Sequence, residues 1–186
     1  MRILPALLPV LFAAACTTTT TTTGTLPQGE DRIHVSVVDA GTSRGVRVEY
    51  VVDADLPDTA RAILEVEARP ENSELVTAAR IVLRNAASGR IILRFHPALG
   101  VPGEATYRYW TDDTRDDEYG YRFQITPARE GGPEYLLRGS YTARATDDGC
   151  RVIFEFTSTH AALRRDHLMR LIRADSTAVM NRAEGT

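Results

Sequence analysis

From Val76 to Thr159 the sequence alternates apolar and polar residues almost without a break. Six stretches keep this period: residues 76–86, 89–97, 103–113, 117–127, 134–148 and 150–159. A period of two sends successive side chains to opposite faces of a sheet. The connectors are short and rich in turn residues, among them ASG and the acidic DDTRDD. Such connectors favour antiparallel neighbours, because a parallel pair needs a crossover of about a dozen residues or more.

The flanks complete the pattern. Ile33, Val35 and Val37 alternate with His34 and Ser36. After the turn GTSRG, Val46, Val48, Tyr50 and Val52 alternate with Arg47, Glu49 and Val51. These two segments read as a hairpin. The period then changes. Asp55 or Asp58 can cap a helix, Pro57 suits its first turn, and Ala60, Ile63, Leu64 and Glu67 recur at helical spacing up to Pro70. A short second helical turn is expected in ENSEL, residues 71–75. The chain closes with a helix over 160–183, capped by Ser158 or Thr159. Leu163, Leu168, Leu171, Ile172 and Val179 form its apolar stripe, and Arg164, Arg165, Arg170 and Arg173 its solvated side. The order β-β-α-(α)-six β-α defines an α+β domain. Its antiparallel sheet has about seven or eight strands, and the terminal helix is the best cover for one face.

Composition removes several functions. Apolar residues make up 43% and charged residues 25% of 186 residues, an ordinary globular balance for one domain. The net charge of -3 and the lack of a basic patch give no pull toward nucleic acid. All 22 cationic residues are arginine. No lysine is present for Schiff-base chemistry or a phosphate-binding loop. The four histidines, His34, His96, His160 and His167, show no HExxH spacing, and there is no CxxC. Neither a metal nor another cofactor is expected. His160 and His167 are seven apart and should share a face of the last helix. The cluster Asp112, Asp113, Asp116, Asp117 and Glu118 lacks calcium-loop spacing and contains Arg115, so it reads as a solvated hairpin tip. No GxSxG, SxxK or GxGxxG occurs, and Ser140 lies inside a strand without a nucleophile elbow.

The N-terminus has separate meaning. Arg2 precedes an apolar run from Ile3 to Ala15, too short to span a bilayer comfortably. Residues 1–15 read as a secretory signal. The sequence FAAAC, ending at Cys16, resembles the bacterial lipobox, with Ala13 where leucine is usual. That resemblance implies a diacylglycerol thioether on Cys16, with acyl chains such as palmitate, and cleavage just before it. The alternative is the general signal peptidase, which leaves a free thiol. Thr17 replaces the aspartate that commonly retains a lipoprotein in an inner membrane. The expected location is therefore the cell envelope, at the outer membrane facing the periplasm where a cell has two membranes. Residues 16–30 hold seven consecutive threonines and no apolar period. They read as a tether, plain or glycosylated, ahead of a domain over 31–186. With Cys16 acylated, Cys150 has no intramolecular disulfide partner. It heads a strand in DDGCRVIFEFTST and reads as a half-buried small residue.

The segments VRVEYVVDADLPDTARAIL and YLLRGSYTARATDDGCRVIFEFT, with one long C-terminal helix, resemble the START-like helix-grip domains of the SRPBCC superfamily. The resemblance covers about Val46 to Ala183; the strand at 33–39 is additional. It implies a curved sheet wrapped on the C-terminal helix, with an apolar cavity between them for a hydrophobic or lipid-like ligand. Members bind, carry, sense or catalyse. Candidate lining residues are Phe95, Tyr107, Tyr109, Tyr121, Phe123, Tyr141, Phe154, Leu168 and Ile172; simple core packing accounts for most of the aromatics, and a subset is left to line a cavity. Trp110, on the opposite strand face from Tyr107 and Tyr109, is expected near the cavity mouth. Arg94, Arg108, Arg122 and Arg138 belong to the solvated face, unless one turns inward to an acidic head group. Alternatives to a binding module are a cyclase- or hydrolase-type enzyme and a pocketless structural lipoprotein. The enzyme requires an acid-base pair in the cavity.

Overall fold

A computed structural model describes residues 32–39, 43–68, 76–85, 87–96, 103–112, 115–127, 137–160 and 163–185. The signal, Cys16, the tether and ENSEL lie outside the described residues. The elements are β1 (Ile33–Val37), β2 (Arg44–Val52), α1 (Leu56–Leu64), β3 (Val76–Arg84), β4 (Ser88–Phe95), β5 (Glu104–Thr111), β6 (Glu118–Pro127), β7 (Leu137–Thr146), β8 (Gly149–Ser158) and α2 (Arg165–Glu184).

The strands form one eight-stranded sheet in the order β1-β2-β8-β7-β6-β5-β4-β3. Every neighbouring pair is antiparallel. The hairpin β1–β2 is laid down first. The chain then passes through α1 to the far edge at β3 and returns strand by strand until β8 pairs with β2. The additional strand β1 is an edge that pairs with β2 alone among the described strands, Val35 opposite Val48.

Period two decides the two faces. The inner face buries Val46, Val48, Tyr50 and Val52 of β2, Val152, Phe154 and Phe156 of β8, and Tyr119, Tyr121, Phe123 and Ile125 of β6. One cross-strand row runs Val46, Phe156, Gly139, Phe123, Tyr109, Gly89. The two glycines stand where the rings need room. A Cβ on Gly139 would overlap the Glu155 carbonyl oxygen and lie 2.7 Å from Phe156 Cβ and 2.9 Å from Phe123 Cε1. A Cβ on Gly89 would overlap the Tyr109 ring.

Helix α1 begins as its sequence predicts: Asp55 accepts from the Asp58 backbone N–H at 2.8 Å, and Pro57 sits in the first turn. It ends at Leu64 and passes into a 3-10 turn at 66–68, so Glu67 lies beyond the helix. Arg84 then fastens β3 to this turn through Glu67 (2.7 Å) and the Leu64 carbonyl (3.2 Å).

Helix α2 starts at Arg165, five residues later than its apolar pattern suggested. Arg164 is the cap position and makes no side-chain capping bond. Ser158 instead accepts from the His160 backbone N–H at 3.1 Å, in a turn ahead of the helix. Leu163 is buried from this preceding segment. His160 therefore lies off the helix and shares no helical face with His167. Leu168, Ile172 and Val179 face the sheet, buried. Both helix ends are tied to the first hairpin. Arg165 pairs with Asp39, and Arg32 donates to Glu184 at 2.7 and 3.2 Å. Arg182 joins α2 to Glu65 at 2.7 Å. Largely exposed pairs contribute about 0–1 kcal/mol each, whereas a buried Phe or Leu contributes roughly 1.5–3 kcal/mol. The apolar stripe holds the helix, and the ion pairs fix its setting.

Candidate functional site

The inner face carries a continuous aromatic cluster. Tyr107 stacks on Phe123 with ring centroids 5.2 Å apart, and Tyr141 stacks on Phe154 at 4.0 Å. Phe123 links the two pairs, 5.9 Å from Phe154 and 6.4 Å from Tyr141. Tyr121 lies 5.6 Å from Tyr141 and 5.4 Å from Tyr109. Aromatic pairs at such distances add about 0.5–1.5 kcal/mol each beyond their burial.

Between this cluster and α2 lies an apolar cleft of about 60 Å3. It is bounded by Val66, Val76, Leu93, Phe95, Tyr107, Phe123, Ile125, Leu137, Phe154, Phe156, Leu171 and Asp175. The start of β3, the end of β4, the end of β6 and the start of β7 all meet there. The connections at that end, residues 69–75, 97–102 and 128–136, lie outside the described residues. A volume of 60 Å3 takes a few water molecules, against roughly 300–1,000 Å3 for pockets that hold small organic ligands. A lipid-sized ligand enters this seam only if rings repack or α2 shifts.

The candidate lining residues divide. Phe95, Tyr107, Phe123 and Phe154 border the cleft. Tyr109, Tyr121, Tyr141, Leu168 and Ile172 are buried beside it in the same core and do not border it. Asp175 is the residue that sequence reading missed. A signal was available: Leu168, Leu171, Ile172 and Val179 form the stripe, and position 175 falls on it by i, i+4 spacing. An acid interrupting an apolar stripe is such a signal. Leu171 and Asp175 hang over the cleft from α2, both half-buried. The Tyr141 hydroxyl donates to Asp175 Oδ2. The Tyr107 and Tyr121 hydroxyls bond to one another.

Other expectations meet a plain geometric answer. Arg94, Arg108, Arg122 and Arg138 are exposed on the outer face, and none points inward. Arg94 pairs with Glu104 at 2.7 Å and Arg122 with Asp112 at 2.6 Å. Trp110 also lies on the outer face, 42% exposed, so it is across the sheet from the cleft mouth rather than beside it. It borders a solvent-open hollow of about 730 Å3 with Arg122, Gln124, Ser140, Glu155 and Thr157. Cys150 is fully buried rather than half-buried; burial pushes its thiol up, away from thiolate chemistry. Burial likewise pushes the Tyr119 hydroxyl up. Among the described residues no three or more His, Cys, Asp or Glu side chains gather in a metal-binding arrangement. No helix of the described residues is long and apolar enough to cross a membrane.

An eight-stranded antiparallel sheet closed on a long C-terminal helix is the START-like helix-grip fold. Solved structures share it. The STAR-related lipid transfer protein (fragment 25–204) from Xanthomonas axonopodis is similar with TM-score 0.62 and 16% identity, covering 83% of this chain and 97% of that one. Human StAR-related lipid transfer protein 5 is similar with TM-score 0.60 and 12% identity, covering 89% and 87%. The Zhui aromatase/cyclase from Streptomyces sp. R1128 is similar with TM-score 0.51 and 16% identity, covering 77% and 92%. No protein-family model and no curated protein matches this sequence. At such identities the likeness is one of fold, which hosts both transfer proteins and a cyclase.

Proposed function

We propose that this protein is a lipid-anchored envelope protein that binds a hydrophobic or lipid-like ligand between the sheet and α2. The observation that carries the reading is the apolar cleft between the aromatic inner face and α2 in a helix-grip fold. The cleft is a seam that a ligand opens. Its walls are large rings and Leu171, which gain new contacts with an apolar guest as they part. The anchor is Cys16, with residues 16–30 as tether and 31–186 as the working domain. An acylated chain works at a membrane surface, where apolar ligands are concentrated.

The full chain, purified in mild detergent, is titrated with the neutral dye Nile red, and its organic extract is analysed by mass spectrometry. Saturable dye binding or a co-purified amphiphile is expected. No dye uptake and an empty extract favour the pocketless structural lipoprotein. Anchoring is read separately: Cys16→Ser should move the protein from the membrane fraction to the soluble one. An unmodified Cys16 in the wild-type N-terminal peptide overturns that part. Asp175 with Tyr141 is the one observation that favours a cyclase-type enzyme, as a carboxylate at the cleft with a buried hydroxyl bonded to it.

A further inference from the structure

The outer face of the sheet gathers arginines that are far apart in sequence. One cross-strand row runs Leu83, Arg90, Arg108, Gln124, Arg138, Thr157. Trp110 lies two residues along from Arg108, in the next row, opposite Arg122. Arg90 and Arg108 are direct cross-strand partners, and like charges so placed destabilise a sheet. A second such pair, Arg144 opposite Arg151, shows how the sheet relieves the repulsion: Arg144 bonds to Glu118 at 2.6 Å, and Arg151 bonds to Glu49. Arg90 and Arg108 have no such acid among the described residues. Glu104 and Asp112, four residues to either side of Arg108, are taken by Arg94 and Arg122. Residue 86 and residues 97–102, which join β4 to its neighbours, hold no acid, and Asp113 is five residues beyond Arg108. Five residues are about 16 Å along a strand, twice the Debye length of about 8 Å at physiological salt. We infer that this face docks on a bilayer of anionic phospholipid, with Arg90 and Arg108 on lipid phosphates and Trp110 at the interface.

The chemistry favours a bilayer over a soluble anion. A guanidinium is a planar fork that meets two phosphate oxygens at once. A lipid surface offers many phosphates side by side, so both arginines are met together and their mutual repulsion is offset. The pair is also flanked by apolar side chains left in water: Leu83 opposite Arg90, and Trp110 two residues from Arg108, both exposed. A soluble polyanion would satisfy the arginines and leave these two wet. A membrane interface takes all four, because an indole settles at headgroup level. Headgroups that enter the open hollow beside Trp110 also meet Arg122 and Arg138. The tether allows the geometry, which in this respect rests on the anchoring proposed above. Residues 16–31 reach about 50 Å when extended. The sheet from β1 to β3 is about 34 Å wide, from its strand spacings of about 4.8 Å. A chain held at Cys16 can therefore lay this face on the same membrane.

The full chain is mixed with vesicles of phosphatidylcholine alone, and with vesicles of equal parts phosphatidylcholine and phosphatidylglycerol. Trp110 is the chain's only tryptophan, so its emission reports this face. An acyl anchor would hold the chain to both kinds of vesicle; docking moves the indole out of water. The anionic vesicles should shift the emission to the blue and cut acrylamide quenching about two-fold or more, and the neutral ones should do neither. About 1 M salt, where the Debye length is about 3 Å, should reverse the effect. Arg90→Gln with Arg108→Gln should abolish it. Arg170→Gln with Arg173→Gln removes the same charge from the solvated side of α2 and should keep it. No shift on anionic vesicles, equal shifts on both kinds, or a shift that survives Arg90→Gln with Arg108→Gln overturns the inference. So does a shift with the soluble polyanion dextran sulfate and none with anionic vesicles. These outcomes leave Nile red binding and the Cys16 peptide untouched, so the proposed function stands or falls separately. The wild-type comparison at low and high salt is decisive even if a variant fails to fold.

Discussion

The two faces of the sheet share every backbone hydrogen bond and almost nothing else. On the inner face, rings touch rings, and glycines stand where a side chain would collide. On the outer face, arginines reach into water and meet acids such as Glu104 and Asp112. The inner hollow is small and apolar; the outer one is wide, open and mixed in character. Alternate residues of one strand therefore live under different rules. Inside, a change of one methyl group is a packing event; outside, a change of charge is diluted by solvent.

The largest effects should come from the inside. Phe154→Ala removes the ring stacked on Tyr141 and should lower stability by about 3–5 kcal/mol, read from denaturant unfolding. The same change enlarges the cleft, so the surviving folded fraction should take up more Nile red per molecule. Lower uptake would show that Phe154 shapes a binding surface rather than fills a void. Gly139→Val comes next. Its side chain has nowhere to go between Phe156, Phe123 and the Glu155 carbonyl, and a loss of about 3 kcal/mol or more is expected, roughly 6–12 °C in Tm. Ser140→Val, the next residue and outward-facing, should stay within about 0.5 kcal/mol. Equal losses at 139 and 140 would break the contrast. Outside, Arg90 stands directly opposite Arg108, and neither has an ion-pair partner among the described residues. Arg90→Glu should stabilise by about 0.2–1 kcal/mol, with the gain fading in high salt.

The faces were legible because period two is written residue by residue. Parity alone puts Tyr107 and Tyr109 inside and Arg108 and Trp110 outside. Parity gives Trp110 the right face, but that face has no access to a cavity on the inner one, so Trp110 does not sit at the cleft mouth. The late start of α2 had a trace too: Leu163 and Leu168 are five apart, a spacing that breaks the stripe. Which rings border the cleft was not legible. Tyr109 and Phe123 are cross-strand neighbours on one face, yet Phe123 borders the cleft and Tyr109 does not. That choice depends on where α2 crosses the sheet, which local periodicity does not encode. Asp175 was legible as an acid on an apolar stripe, but its partner Tyr141 is 34 residues away in sequence.

The faces should also fail at opposite ends of the pH scale. Inside, burial raises the Tyr119 hydroxyl above its ordinary value of 10.0 and the Cys150 thiol above 9.0. A raised folded-state value means that the unfolded chain loses its proton first. The associated stability is complete below those ordinary values and is lost as pH rises through and beyond them. Outside, the hydrogen bond and charge of Arg94 hold Glu104 below its ordinary 4.5. A depressed value has the opposite sign: its stability is present above 4.5 and is lost as pH falls toward the folded-state value. Thermal melts from about pH 3 to pH 11 separate the two. Tyr119→Phe should flatten the alkaline limb and leave the acid limb alone. Glu104→Gln should trim the acid limb only, and by the smaller amount, because the Arg94 pair sits in water that screens it. An acid limb that Glu104→Gln leaves unchanged, with the Arg94 contact gone, would mean that the outer ladder contributes charge to the surface and nothing to the fold.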